Sequence, residues 1–282
     1  MILQALNDYY ERLRADPEVE VSDFGFSPDL VDCVITISKS GELKDVMPLE
    51  DPKKSICPSP SVSLQDLEKE EFPLKYKRTS GIAAYFLADK GEYVVDNKKS
   101  KKHDEFKRLS SLVISGSEDV GLMAIFYFLE YSEENSQKIL KLDPNIFSRR
   151  KVVFRLDNEL TFIHERDEAV KLWKQFLQII PGKKLGHCLI KNEKAPILPV
   201  HPPIRNKQRS FATSKGELSI VSFNIDCAES YGRNQSFNAP ICEKAAFAYT
   251  TALNTLIASG SHRRVQIGDT TVVFWTDVPV AA

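Results

Sequence analysis

The sequence has no apolar run near the ~18 residues that a membrane-spanning helix needs. Its first residues show no basic start and no small-residue cleavage site, so they do not read as a secretion signal. Cysteine is sparse: Cys33, Cys57, Cys188, Cys227 and Cys242, an odd number at long gaps without a CxxC pair. That spacing argues against a disulfide framework or a zinc site and fits buried thiols in a reducing cytoplasm. There is no Walker-type glycine cradle, no GxGxxG and no GxSxG elbow, so nucleotide-binding and serine-hydrolase readings have no motif to stand on. No internal repeat is present.

What remains of catalytic chemistry is thin. "FIHERDEAV" places His164, Glu165 and Asp167 together, but a histidine beside acids at a helix start reads as a cap or an exposed ion-pair partner. His187 and Cys188 are neighbours in a strand-like run, where neighbouring side chains face opposite ways and cannot form a dyad. The expectation is a chain without catalytic residues, metal or cofactor.

The net charge of −1 hides an asymmetry. Residues 1–74 hold 16 acids against 7 bases, a balance of −9, and the remainder carries +8. From Lys183 to Lys215 eight bases face one acid, Glu193. Such a segment is either a solvated lysine-rich loop or a surface that meets a polyanion.

The periodicity predicts an α+β fold with a mixed, largely antiparallel sheet and packed helices. An amphipathic helix opens the chain, with Ile2, Leu3, Leu6, Tyr9, Tyr10 and Leu13 on one stripe. Residues 32–46 read as a hairpin turning at "KSGE", and the proline-rich 48–63 as a surface loop. Helices are expected at 118–131, at 167–180 with Val170, Trp173, Phe176, Leu177 and Ile180 as its stripe, and after Pro240. Strands are expected at "KVVFRLD", "HCLIK", 218–225 and "VQIGDTTVVFWTD".

Two segments combine amides, cations and aromatic rings. One is "SYGRNQSFNAP", residues 230–240, with Tyr231, Arg233, Asn234, Gln235, Phe237 and Asn238. The other holds Lys75, Lys77, Arg78, Thr79 and Ser80, followed by Gly81, Tyr85 and Phe86. Asn and Gln amides pair with adenine, Arg pairs with guanine, and an aromatic wedge can unstack a base step. Each segment also has a plain structural reading. Asn238-Ala239-Pro240 can start a helix with Asn238 as its cap. Only one of Tyr85 and Phe86 can face the core of a strand.

Long blocks carry a resemblance: "SFN", "ESYG", "NAP", "AAFAYTTALN" and "IGDTTVVFW" between Ser219 and Asp277, with "MILQALNDYYERL" and "KYKRTSGIAAYFLADKGEYV" earlier. Together they cover about a third of the chain and resemble the large subunit of the type I-C CRISPR interference complex, the Csd-type large subunit of Cascade. Family members are longer and end in a helical bundle. The resemblance therefore implies that 1–282 is the N-terminal recognition domain, with the bundle outside this chain and an internal break near 181–216.

It also implies a non-catalytic cytoplasmic subunit that senses the protospacer-adjacent motif (PAM), binds and helps open target double-stranded DNA, and docks a helicase–nuclease. Its partners would be the backbone and crRNA 5′-end subunits of Cascade, with a DNA-mimicking phage inhibitor as a competitor. Read by residue type and charge in that context, the candidate DNA-contacting residues are Lys75, Lys77, Arg78, Ser80, Tyr85, Lys207, Arg209, Lys215, Arg233, Asn234, Gln235 and Asn238. A nuclease of the same defence system and a pure protein-docking domain are the alternatives. Two positions depart from the family pattern. Ala84-Tyr85 stand where "SGIAPNFL" has Pro-Asn, and Ser236 stands where the loop has Gly.

Overall fold

A computed structural model describes residues 2–69, 71, 74–76, 78, 81–96, 98–205, 217–223, 225–268 and 270–276. The chain divides into two compact units, 25–182 and 1–24 with 183–282. Helix α1 (Ile2–Ala15) opens the second of these and buries Leu6, Tyr9, Tyr10 and Leu13. Ile2, placed on the same stripe by periodicity, is exposed.

Unit 25–182 is built on a four-stranded sheet. The strands β1 (Phe26–Ile37) and β2 (Leu43–Pro58) form the hairpin expected at "KSGE", antiparallel in register Val34↔Met47 and Thr36↔Asp45. Gly41 turns it with φ +81, and a Cβ there would lie 2.7 Å from the Phe128 backbone nitrogen. The hairpin is longer than the sequence suggested. Residues 48–58, expected as loop, continue β2 against β1. Prolines 48, 52 and 58 are tolerated because β2 is the edge strand, where a missing N–H can face away from the ladder. A register shift between Val31 and Cys33 takes up Leu49–Pro52 as a bulge.

The short β3 (Ser61–Val62), helix α2 (Leu64–Glu68), β4 (Leu74–Lys75), β5 (Ala88–Asp89) and one-turn α3 (Gly91–Val94) follow. Helices α4 (Lys101–Ile114), α5 (Val120–Glu130) and α6 (Ser132–Leu142) lead to β6 (Val152–Leu156) and α7 (Asp167–Ile179). The sheet order is β2-β1-β6-β5, with β1 and β6 parallel and the other pairs antiparallel. The sheet is therefore mixed and largely antiparallel, in an α+β fold. Ser100 and Asp119 cap α4 and α5 through their side chains. Phe154 of β6 packs against Phe106 of α4 and Phe128 of α5. Val31, Val34, Cys57, Ala88 and Val153 form a second apolar layer with Leu49 and Phe162. Trp173 of α7 stacks on Phe86 at 5.4 Å and donates its indole N–H to Gly25 O at 2.7 Å.

In the other unit α1 packs against α8 (Glu243–Ile257), and Phe247 receives Tyr10 and Phe24 edge-on at 5.8 and 5.6 Å. The antiparallel pairs are β7 (Leu185–His187) with β8 (Lys194–Pro196), β9 (Ile204–Arg205) with β10 (Glu217–Leu218), and β11 (Arg264–Ile267) with β12 (Thr270–Val273). Three strand expectations need correction. "HCLIK" is strand only through His187, because 189–191 turn back toward Glu193. Among the described residues of 218–225 only Leu218 pairs. The final run is a hairpin, folded at Gly268 with φ +56.

Candidate nucleic-acid interface

The 230–240 loop is held at its C-terminal end by backbone. Leu189 N–H donates to Pro240 O at 2.9 Å, Leu198 N–H to Ile241 O at 3.0 Å, and Ser236 N–H to Pro199 O at 3.3 Å. Its tip is a tight reversal. Arg233 N–H donates to Ser230 O at 3.0 Å, and the two central residues, Tyr231 and Gly232, have φ of +53 and +68. Two consecutive left-handed residues are the signature of a type I′ turn. A tyrosine pays strain in that region, and here it is 97% exposed.

Asn238 explains the loop's shape. Its carbonyl oxygen accepts from Ser230 N–H at 3.0 Å, and its amide donates to Arg233 O at 2.8 Å and Gln235 O at 3.0 Å. Asn238 therefore does not cap α8. The N-cap of α8 is Cys242, and Asn238 staples the turn from inside. With both amide hydrogens donated, it has little left to offer a base. Arg233, Asn234 and Gln235 are exposed, and Gln235 sits at φ +48. Ser236 is buried at an ordinary φ, so this loop does not need the glycine that the family pattern has there. Lys184 lies 5.4 Å from the Phe237 ring centre and adds a cation at the loop's base. The other lysine of that pair, Lys183, is drawn inward to Glu243 at 2.9 Å.

The second segment lies in unit 25–182 and is used differently. Arg78 donates to both carboxylate oxygens of fully buried Asp89 at 2.7 and 2.6 Å. Asp89 also accepts from Tyr85 N–H and Lys90 N–H. The guanidinium lies 4.2 Å from the Tyr85 ring centre and 4.3 Å from that of Tyr93, and Lys151 approaches the Tyr85 ring at 4.4 Å. Burial disfavours the Arg78 charge, but the Asp89 carboxylate outweighs it and raises the guanidinium pKa. Arg78 is thus a half-buried strut of the fold. Phe86 is the core member of its pair and Tyr85 the half-buried one. Lys75 pairs with Asp66 at 3.1 Å. Lys77, Ser80, Lys207, Arg209 and Lys215 lie outside the described residues.

The histidine-bearing segments singled out in the sequence are placed as follows. His164 is buried rather than exposed, and burial lowers its pKa to about 3. Its Nε2 lies 2.9 Å from Ser55 Oγ, whose own proton goes to Glu165 at 2.6 Å. The serine hydroxyl therefore donates to a carboxylate, and the imidazole proton is assigned to Nε2, which donates to the serine oxygen. Glu165 accepts from Phe162 N–H at 3.2 Å, the capping part of the expectation. His187 engages Asn192 at 2.8 Å, and Cys188 turns inward to accept from Cys242 N–H at 3.2 Å. Among the described residues no three His, Cys, Asp or Glu side chains gather around a metal-sized site.

A family model described as CRISPR-associated protein (Cas_Csd1) matches residues 6–280. The chain belongs to the Cas_Csd1 family. No curated protein matches it in sequence. Membership makes it a CRISPR-associated protein and brings the loop's exposed Arg233, Asn234 and Gln235 into the context of antiviral defence. No helix among the described residues is long and apolar enough to cross a membrane.

Proposed function

We propose that this Cas_Csd1 chain is a non-catalytic DNA-recognition subunit of a type I-C CRISPR surveillance complex. It reads the PAM on target duplex, helps separate the strands beside it, and presents a docking surface to the helicase–nuclease. The observation that carries the reading is the stapled loop at 230–240. A rigid type I′ turn projects one guanidinium and two amides, with an exposed tyrosine at its apex. These are the groups that distinguish base edges, and an aromatic apex is suited to unstacking a step. The crRNA would read the rest of the target by pairing.

The test measures affinity of the assembled complex for duplexes with and without the motif, at one salt concentration. Gln235→Ala should lose a contact worth about 1–3 kcal/mol on the preferred motif and little on other DNA, where binding is electrostatic. Arg233→Ala should do the same if it reads guanine. An unchanged affinity ratio in both variants would make the loop structural. The nuclease alternative requires DNA cleavage by the purified chain with Mg²⁺ or Mn²⁺ that is lost on mutating one acidic cluster.

A further inference from the structure

A cavity of about 370 Å³ opens beside the stapled loop, within the unit that contains it. His201, Phe223, Glu229, Gln235 and Ser236 are among the described residues that line it. Its size lies near the lower end of ligand cavities, enough for a planar ring system.

The polar groups are specific in sense. His201 is 2% exposed, its Nδ1 lies 2.6 Å from the Tyr249 hydroxyl, and its Nε2 has no partner in the protein. The phenol is the better donor of the two, so Tyr249 donates to Nδ1 and the ring proton is assigned to Nε2. Burial lowers the His201 pKa to about 4, which keeps the ring neutral. Glu229, exposed at the rim, is an acceptor and repels anions. Gln235 supplies both a donor and an acceptor, and Phe223 supplies a ring to stack on.

We propose that this cavity receives a single unstacked nucleobase bearing an exocyclic amine, its amino group toward Glu229 and its ring against Phe223. The Glu229 carboxylate at the rim disfavours a phosphate. Thymine and uracil lack the amine. The proposal rests on the reading of the loop as a DNA contact, since it places a displaced base where strands would separate. Proteins that take a base out of the stack read it in this way, through its pairing edge and by stacking.

The test is saturation-transfer NMR on the whole chain with deoxycytidine, cytidine, deoxyadenosine, deoxyguanosine, thymidine and inorganic phosphate as probes. Amino-bearing nucleosides should bind, thymidine should bind about tenfold more weakly, and phosphate should not displace them. Glu229→Gln, a surface change that spares the fold, should narrow the cytidine-to-thymidine preference to about twofold. Deoxycytidine favoured over cytidine would assign the base to target DNA, and the reverse to the guide. Absence of binding by every nucleoside, competition by phosphate, or an unchanged preference in Glu229→Gln would overturn the proposal. The motif affinity ratio of the complex is read separately. A complex that still discriminates the motif while the chain binds no nucleoside ends the cavity proposal alone, and nucleoside binding without discrimination leaves the cavity and ends the motif reading.

Discussion

At the scale of single residues, the loop and the basic-aromatic segment look alike in sequence and differ in three dimensions. Both offer Arg, amide or hydroxyl groups and aromatic rings. Arg78 is fixed by buried Asp89 and two tyrosines, whereas Arg233 is exposed at a turn. What separates them is Asp89, eleven residues from Arg78, and no local pattern announces that pairing. Asn238 is the more informative position. Three hydrogen bonds join it to Ser230, Arg233 and Gln235, so Asn238→Ala should loosen the turn without touching a helix cap. Because the site is partly exposed, the expected loss is about 0.5–1.5 kcal/mol in urea unfolding, and motif discrimination should fall with it. Gln235→Ala should leave the same unfolding curve unchanged. Equal stability in both variants would show that the staple does not matter.

At the scale of elements, strong periodicity was legible and edge behaviour was not. The helices α1, α5, α7 and α8 appear where the apolar stripes place them, and the "KSGE" turn closes the β1–β2 hairpin. The stretch 48–58 escaped because three prolines mask a strand that survives only as an edge. Helix α6 shows no stripe comparable to α7, burying only Asn135, Ser136 and Ile139. The final hairpin reads as one strand because Gly268 alone marks its turn. The loop was legible as a candidate from its residue types, but the use of the Asn238 amide was not, since it depends on carbonyls that the turn brings together. Gly41 makes the hairpin's link to α5 testable. Its positive φ and the 2.7 Å approach of a Cβ to the Phe128 nitrogen and the Tyr127 Cβ leave no room for a side chain. Gly41→Ala should cost more than the ~1 kcal/mol of an isolated left-handed alanine, seen as a lowered melting temperature. A change below that value would mean that α5 can move aside.

At the scale of the whole molecule, stability should depend on pH through buried histidines in both units. His164 and His201 are neutral when folded, with pKa lowered to about 3 and about 4 by burial, against about 6.5 when unfolded. The unfolded chain therefore takes up protons first. Stability is fully present above pH ~6.5 and falls as pH drops toward the folded values, by up to ~1.4 kcal/mol per pH unit for each histidine. Thermal melts from pH 7.5 to 4.5 should show this decline, and a flat profile would mean that the two rings are not buried neutral. The charge asymmetry of the sequence belongs to this scale too, since its densest basic stretch flanks the strand and loop segments that lead to 230–240. The role of that loop in reading duplex DNA is tested most directly by photo-crosslinking from a benzophenone amino acid at position 231 in the assembled complex. The expected product joins position 231 to the bases of the motif on target duplex and disappears when the motif is scrambled. Crosslinks that fall only on neighbouring protein subunits, or on DNA regardless of the motif, would contradict it.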